Sequence, residues 1–406
     1  MNINQFILKN ILLIVILAIS FNNCGEPEKL PLTQWTYIQV DENRGKWGDE
    51  AEPQWLRYFG LALADVNGDQ ALDIVAGRYW YRNPGGAMTE PWQRIDLGLN
   101  VDGMLVVNVD DDNLTDIIAQ ALPAVYWLEA AEPGGATWKA VKIDTLPKTG
   151  HVNGQGYSLA QIIAGGKPEI LLQAEGGIYA VEIPANPESG DWGFSLIAVT
   201  HSDEGIGTGD IDADGDLDLV AGDLTASGEK EHPTQLKWWE NPGTIETVWS
   251  FHPIGTTDHA IDRVEVADLN ADGRLDVVIS EERYPGKEPD ASLYWFAAPT
   301  DPFSGEWQRQ RIITQYSMNN LDVADFDQDG DFDIVTNEHK GQTYKLQIFE
   351  NDGQGQFTEH LIDTGKESHL GCQAADLDQD GDLDLVSIAW DHYQFLHLWR
   401  NDAIKK

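Results

Sequence analysis

The stretch Asp210-Ile211-Asp212-Ala213-Asp214-Gly215-Asp216-Leu217-Asp218 places a carboxylate at every second position. Carboxylates this close repel one another, because each ionised group raises the cost of ionising its neighbours. They are compatible with one another only around a cation. Acids at positions 1, 3 and 5, a Gly at position 6 that permits a sharp turn, a backbone carbonyl near position 7 and a closing acid are typical of a calcium loop.

The same frame recurs along the chain at intervals of roughly 50 residues, which indicates a repeat architecture such as a propeller or a solenoid. Oxygen-bearing side chains at positions 1, 3, 5 and 9 predict six calcium loops and therefore five or six structural Ca²⁺ ions. The predicted ligands are Asp65, Asn67, Asp69 and Asp73; Asn108, Asp110, Asp112 and Asp116; Asp210, Asp212, Asp214 and Asp218; Asp268, Asn270, Asp272 and Asp276; Asp325, Asp327, Asp329 and Asp333; and Asp376, Asp378, Asp380 and Asp384.

These sets belong to units one, two, four, five, six and seven of the chain, and the loops are numbered accordingly. We expect loop two to bind calcium more weakly, because an amide, Asn108, fills its first position. Aligning Glu169 with the closing acid assigns Gln161 and Lys167 to the loop of unit three. An ammonium and an amide in these places predict that loop three holds no divalent cation.

The loops connect strands rather than helices. Position 12, where an EF-hand carries its bidentate Glu, is not acidic: it is Ala221 in loop four and Thr336 in loop six. The apolar run Leu219-Val220-Ala221-Gly222 after loop four has the character of a short buried strand, and Val264-Glu265-Val266-Ala267 before loop five is also strand-like.

Aromatic strands and hairpin turns complete each unit. Seven segments begin with an aromatic residue and continue into aliphatic ones, as in Trp92-Gln93-Arg94-Ile95, and turns such as Asn241-Pro242-Gly243 precede them. Each unit is therefore strand a, calcium loop, strand b, strand c, hairpin and strand d. Seven such units predict an all-β, seven-bladed propeller of four-stranded blades over residues 34–404.

The strand count leaves one d strand over at the N-terminus and none in the last unit. We therefore predict that Trp35 to Val40 pairs with the C-terminal strand and closes the last blade. Such closure removes two exposed sheet edges, which would otherwise favour aggregation.

Short motifs around the loops resemble those of the FG-GAP and VCBS repeat family, whose repeats build propellers such as the head of integrin α subunits. Phe59-Gly60 precedes loop one, and Ala76-Gly77 and Ala221-Gly222 follow closing acids. The resemblance covers almost all of the mature chain and implies a calcium-binding propeller. It leaves the biochemical function open, because one fold hosts many functions.

The N-terminus predicts export. The apolar run from Ile11 to Phe21 is too short to span a bilayer and has the length of a signal-peptide core, so residues 1–23 are interpreted as a signal peptide. Cys24 resembles the lipidated residue of a bacterial lipoprotein, which makes residues 24–33 a lipid-anchored tether. The predicted location is the cell envelope, as an outer-membrane or cell-surface lipoprotein. Because Phe21-Asn22-Asn23 departs from the usual small residues, a secreted or periplasmic protein is the alternative.

Charge excludes some partners. A net charge of −42 excludes nucleic acid, whose binding proteins carry basic patches, and docking on anionic lipid. Membrane contact is expected only through a lipid anchor, and the chain is expected to be a monomer or part of a surface complex.

The d–a and b–c segments meet on the propeller face opposite the calcium loops, and several histidines and acids fall there. Such residues could serve as general bases or metal ligands. The candidates are His151, His201, His259, His369, Glu281, His339 and His392. The favoured hypothesis is a calcium-stabilised extracytoplasmic scaffold that recognises carbohydrate or protein through this face. The alternative is a carbohydrate lyase or sugar dehydratase that uses the histidines.

Overall fold

A computed structural model of the chain describes residues 29–47, 57–112, 114–132, 134–150, 153–202, 204–224, 234–368 and 370–405. The predicted signal peptide, Cys24, His151 and His369 lie outside these residues. Within the described ranges the chain forms β-strands and a single 3₁₀ turn at Pro187–Ser189. This part of the chain has no helix that is long and apolar enough to cross a membrane.

Seven antiparallel sheets of four strands confirm the predicted seven-bladed propeller. Each blade runs a, b, c, d from the central channel outward. The strands are β1 (Trp35–Asp41), then β2 (Leu61–Ala64), β3 (Asp73–Ala76), β4 (Tyr79–Arg82) and β5 (Gln93–Asp96) in blade one; β6 (Asp102–Val107), β7 (Asp116–Ala121), β8 (Ala124–Ala130) and β9 (Trp138–Thr145) in blade two; β10 (Tyr157–Ala160), β11 (Glu169–Ala174), β12 (Gly177–Val181) and β13 (Ser195–Val199) in blade three; β14 (Ile206–Gly209), β15 (Asp218–Asp223), β16 (Gln235–Glu240) and β17 (Ser250–Thr256) in blade four; β18 (Ala260–Ala267), β19 (Asp276–Glu282), β20 (Ala291–Ala297) and β21 (Gln308–Gln315) in blade five; β22 (Asp322–Ala324), β23 (Asp333–Asn337), β24 (Leu346–Asn351) and β25 (Phe357–Asp363) in blade six; and β26 (Leu370–Ala375), β27 (Asp384–Ile388) and β28 (Leu396–Asn401) in blade seven.

The N-terminal strand closes the ring as predicted. Strand β1 pairs with β28 in an antiparallel register that sets Tyr37 opposite Trp399 and Ile38 opposite Leu398. The Tyr37 hydroxyl lies 3.0 Å from Nδ1 of His397, which is buried in the same sheet. The last blade thus takes its d strand from the beginning of the propeller.

Seven hydrophobic clusters each join two neighbouring blades, and a smaller eighth cluster packs Trp47 against Tyr58. Large aromatic side chains fill these joints, including Trp80, Trp127 and Trp238. Four tryptophans predicted to begin d strands instead lie just before them. Each of the four is buried, and each packs with the preceding blade: Trp92, Trp192, Trp249 and Trp307. The indole of each of these residues therefore packs between two blades, and the residue itself is not part of the strand.

Candidate metal loops and the opposite face

The closing acid of each candidate calcium loop is buried and held by backbone amides from two directions. Asp218 of loop four accepts hydrogen bonds from the amide of Ile211 at 3.0 Å and from that of Asn241 at 2.9 Å. Burial raises the pKa of this carboxyl to about 7. A nearby cation would favour its ionised form. Equivalent pairs of amide bonds hold Asp73, Asp116, Asp276, Asp333 and Asp384.

The first acid of the loop shapes the turn. Asp210 accepts hydrogen bonds from the amides of Asp214 at 3.0 Å and Gly215 at 3.1 Å. In loops four, six and seven the carboxylate oxygens at positions 1, 3 and 9 lie within 4.8 Å of one another, close enough to hold a metal ion. Loops one and five have Asn67 and Asn270 at position 3. The donor set consists of carboxylate and amide oxygens, which suits hard cations such as Ca²⁺.

Loop three contains an internal replacement for a cation. The side-chain amide of Gln161 donates to the backbone carbonyls of Ile163 at 2.5 Å and Gly165 at 2.9 Å. The ammonium of Lys167 leaves this loop and contacts loop two, at 2.7 Å from the Val109 carbonyl and 2.9 Å from Asp111. The Gln161 side-chain amide thus occupies loop three, and the Lys167 ammonium lies beside loop two.

Loop six holds a lysine from outside its own blade. The Lys29 ammonium lies 3.0 Å from Asp327, 2.6 Å from Asp329 and 2.6 Å from Glu350. The neighbouring amide of Leu30 donates to the Asp327 carbonyl at 2.7 Å, and Leu32 is buried between blades six and seven. The segment before β1 is therefore docked on the calcium-loop face.

Asparagines at the c–d hairpins tie the loops of neighbouring blades together. The side-chain amide of Asn241 in blade four donates to the Ile162 carbonyl of loop three at 2.7 Å. Asn83 reaches loop seven and Asn351 reaches loop five in the same way. Each of these loops is consequently part of a joint between blades.

On the opposite face, the described histidine candidates do not form one cluster. His201 in blade four binds Asp223 through Nδ1 at 3.0 Å, and the other oxygen of Asp223 binds Lys237. His259 in blade five lies 3.8 Å from Asp290. These two histidines therefore have separate acidic partners.

Glu281 is fully buried. Its oxygens accept backbone amides from Asp258, His259 and Ser292 at 2.7 to 2.8 Å. The carboxylate therefore holds the d–a segment of its blade in place, and the structure turns it away from the surface.

Two other candidates converge on a residue that sequence reasoning missed. His339 of blade six and His392 of blade seven place their Nδ1 atoms 2.9 Å and 3.1 Å from the two oxygens of Glu367. The backbone amides of Trp390, Asp391 and His392 also donate to this carboxylate. Burial disfavours the ionised form of Glu367, but the bonds from both histidines outweigh it and hold the pKa well below its usual range.

Aromatic and cationic side chains surround this group. The Arg57 guanidinium lies 4.4 Å from the centre of the Tyr393 ring, and it donates to the Trp390 carbonyl at 3.0 Å. The Tyr344 ring meets His392 edge-on at 5.9 Å. We call Glu367, His392, Trp390, Tyr393, Tyr344 and Arg57 the Glu367 surface.

The loops beside the Glu367 surface interlock across blades. Lys340 of blade six pairs with Asp391 of blade seven at 2.8 Å. A Cβ added at Gly286 of blade five would lie 2.4 Å from the Lys340 side chain, so only glycine permits this approach. Three neighbouring b–c segments are thus packed together on this face.

The Glu367 surface could bind a ligand or transfer a proton. Because His392 directs Nδ1 to Glu367, its Nε2 is left for other partners, and its side chain is 48% exposed. The hydrogen bond to Glu367 raises the pKa of His392, and burial offsets part of this increase. Glu367 lies two residues before His369 in the sequence, so an acid in the same d–a segment is the signal that points to it.

Comparisons with known proteins support the repeat assignment. The FG-GAP-like repeat model matches residues 210–279 and 325–387, so the chain contains FG-GAP-like repeats, as the sequence motifs indicate. No curated protein matches the chain.

The chain is also similar to several solved structures. BBS1N, solved in complex with ARL6DN, has a TM-score of 0.55 at 9% identity and covers 91% of this chain and 97% of its own. An Agrocybe aegerita lectin that recognises non-reducing terminal N-acetylglucosamine has a TM-score of 0.47 at 16% identity, covering 82% and 90%. The V. cholerae biofilm matrix protein Bap1 has a TM-score of 0.45 at 11% identity, covering 91% of each chain. Identities this low show nothing about ligands.

Proposed function

We propose that this seven-bladed propeller of FG-GAP-like repeats is a calcium-stabilised extracytoplasmic scaffold that recognises a carbohydrate or a protein at the cell surface. The ligand would bind the face opposite the calcium loops. The observation that carries the proposal is the Glu367 surface, where a buried carboxylate fixes a half-exposed histidine among aromatic side chains. A surface ordered in this way loses little side-chain entropy when a ligand binds.

Calcium would act on structure rather than on chemistry. The ions would be held by the carboxylate and amide oxygens of loops one, two and four to seven, and would neutralise carboxylates that otherwise repel one another. Loop four has no Lys or Arg ion pair within the described residues. We expect this loop to depend most on calcium. Since the cation binds only the folded loop, its binding would stabilise the propeller by mass action.

A lipid anchor would orient the molecule favourably for recognition. Lys29 is docked on the calcium-loop face and lies five positions after Cys24. Five Cα–Cα steps span at most about 18 Å, so lipidation of Cys24 would hold the calcium-loop face near the membrane. The Glu367 surface would then point away from the bilayer, toward ligands outside it.

The composition of the Glu367 surface suits recognition. Tyr and Trp provide large rigid contact areas, and Arg and His provide hydrogen bonds at their edges. Carbohydrates and peptides both present the mixture of apolar patches and polar groups that such a surface contacts. The flat aromatic rings together with a nearby guanidinium make carbohydrate the first ligand class to test.

The test is a glycan array probed with the calcium-loaded protein, followed by titration of each hit. We expect Tyr393→Ala and His392→Ala each to weaken binding at least tenfold. Phe251→Ala is the matched control, because Phe251 is an exposed aromatic residue on the outer strand of blade four. Binding that survives both changes at the Glu367 surface, or that Phe251→Ala reduces equally, would refute this site.

One observation favours the enzyme as a second candidate. Orientation of His392 by a buried carboxylate is the arrangement used to position a general base. A base in this place could abstract a proton next to a uronate carboxyl group and start β-elimination. However, the raised pKa of His392 leaves less neutral imidazole at neutral pH. Incubation with a uronate polysaccharide tests this candidate. An unsaturated product that the His392→Ala variant no longer forms would support a lyase. If no such product forms, ligand recognition is the function that the surface supports.

A further inference from the structure

The central channel contains a cavity of about 440 Å³, which is within the range of small-molecule sites. The inner strands of six blades contribute its walls. Leu63, Leu72, Ile206, Val264 and Leu321 form an apolar part of the lining. The polar lining side chains are Gln155, Tyr157, Arg263, Glu265, Asp322 and Gln373.

A tyrosine and a glutamine cross between blades and border this cavity. The Tyr157 hydroxyl of blade three accepts the amide of Leu61 in blade one at 2.9 Å and lies 3.2 Å from the carbonyls of Phe59 and Leu61. Gln373 of blade seven donates to the same Leu61 carbonyl at 2.9 Å. These bonds fix the polar wall on the side of blade one.

Most charged groups of the lining are already paired. Arg263 contacts Asp262 at 3.1 Å, Glu204 at 3.8 Å and Gln155 at 3.4 Å. Asp322 accepts the backbone amides of Val323 and Ala374, both at 2.8 Å. Neither group needs a further partner from the cavity.

Glu265 is different. It lies on β18 two residues after Arg263, so both side chains point to the channel side of the strand. It forms no hydrogen bond or ion pair with any residue that the structure describes. A partly buried carboxylate that has no partner among these residues costs free energy that a cationic ligand would recover.

We propose that this cavity binds a small molecule with a protonated amine, which places its ammonium against Glu265 and its apolar part against the leucine-rich wall. Gln155 and Gln373 are available for further polar contacts. Burial, and then the neighbouring Asp322, raise the pKa of Glu265, and an adjacent ammonium would favour its ionised form.

Other ligand classes fit less well. Calcium requires six to eight oxygen ligands at about 2.3–2.6 Å, whereas the cavity offers only one uncommitted carboxylate. An anion would be repelled by Glu265 and Asp322. A neutral alcohol would leave the carboxylate without a counter-charge.

The experiment compares three probes of similar shape: cyclohexylamine, cyclohexanol and cyclohexanecarboxylate. Each is titrated by calorimetry into the full mature chain with calcium at physiological ionic strength, which screens non-specific attraction to this acidic protein. We expect saturable binding of one amine per chain and at least tenfold weaker binding of the alcohol and the carboxylate.

Glu265→Gln keeps the shape of the side chain and should weaken amine binding at least tenfold. Glu306→Gln, at an exposed position before the outer strand β21, should leave it unchanged. Equal effects of the two variants, equal binding of amine and alcohol to the wild type, or no saturable binding would overturn the proposal. The comparison of the three probes on the wild type still tests the proposal if the Glu265→Gln variant fails to fold. Glycan binding at the Glu367 surface is independent of this result.

Discussion

Replacing Lys29 with Met removes the ammonium from loop six and keeps an apolar stem of similar length. We expect two opposite effects. The metal-free protein should lose stability, because Asp327, Asp329 and Glu350 lose their shared counter-charge. Calcium should bind loop six more tightly, because it no longer has to displace an ammonium from two of its ligands.

The structure sets the size of both effects. Lys29 is 42% exposed, so its ion pairs are screened by water and are worth at most about 1 kcal/mol each. The three contacts share one charge, and Asp327 is almost completely buried. We therefore expect a loss of about 1–2 kcal/mol without calcium. Relief of about 1 kcal/mol of competition corresponds to roughly fivefold tighter calcium binding at this loop.

Lys139→Met provides the matched control. Lys139 also pairs with two acids, Glu129 at 2.7 Å and Glu188 at 2.6 Å, but neither acid is a predicted calcium ligand. Urea unfolding in the presence of a chelator measures the free energy of unfolding without calcium. Calorimetric titration with calcium measures the calcium affinity. The reasoning is refuted if Lys29→Met leaves the calcium isotherm unchanged or weakens it, or if Lys139→Met tightens it equally.

Three further predictions concern calcium removal, closure of the ring by β1 and stability at acidic pH. Chelation should lower the melting temperature markedly, since each loop saturated at 100 times its Kd adds about 2.7 kcal/mol; an unchanged melt contradicts the calcium loops. Deleting residues 34–41 removes β1 and exposes the edge of β28, so we expect a large drop in melting temperature or aggregation, and an unaltered melt would count against closure. Burial lowers the pKa of His397 to about 4 from 6.5, so the unfolded chain takes up this proton first as pH falls, and stability is lost between pH 6.5 and 4, by about 3 kcal/mol. In urea titrations at a series of pH values, the His397→Gln variant should lose less stability than the wild type between pH 6.5 and 4. An equal loss in the two proteins would show that other groups cause it.

The repeated acidic frame was sufficient to predict the architecture. Its closing acid begins strand b in each unit, as at Asp218 and Asp384, so the frame locates the a–b turn directly. Counting strands then predicted the closure by Trp35 to Val40, because an unpaired d strand at one end has only one complementary gap. Strand beginnings were less accurate: Trp249 and Trp307 carry the aromatic signal but pack between blades before the strand starts.

The chemistry of the sites depended on contacts between distant parts of the chain. Glu367 gathers His339 and His392 from two blades, and Lys29 reaches a loop about 300 residues later. Glu265 is distinctive because it has no hydrogen-bond or ion-pair partner among the described residues, which no local sequence pattern can show. Spacing along the chain predicts which residues share a strand or a turn, but it does not predict how neighbouring blades align their side chains.

The two faces compensate their acids by different means, and this difference bears on function. On the opposite face, Asp223 is balanced by Lys237 and His201, and Glu367 by two histidines and three amides. These groups need no metal. On the calcium-loop face, Asp218 and Asp384 carry raised pKa values, and loop four has no basic ion pair within the described residues. Calcium removal should therefore loosen the blade joints bridged by the hairpin asparagines before it disturbs the Glu367 surface, because that surface is held by contacts that contain no cation site.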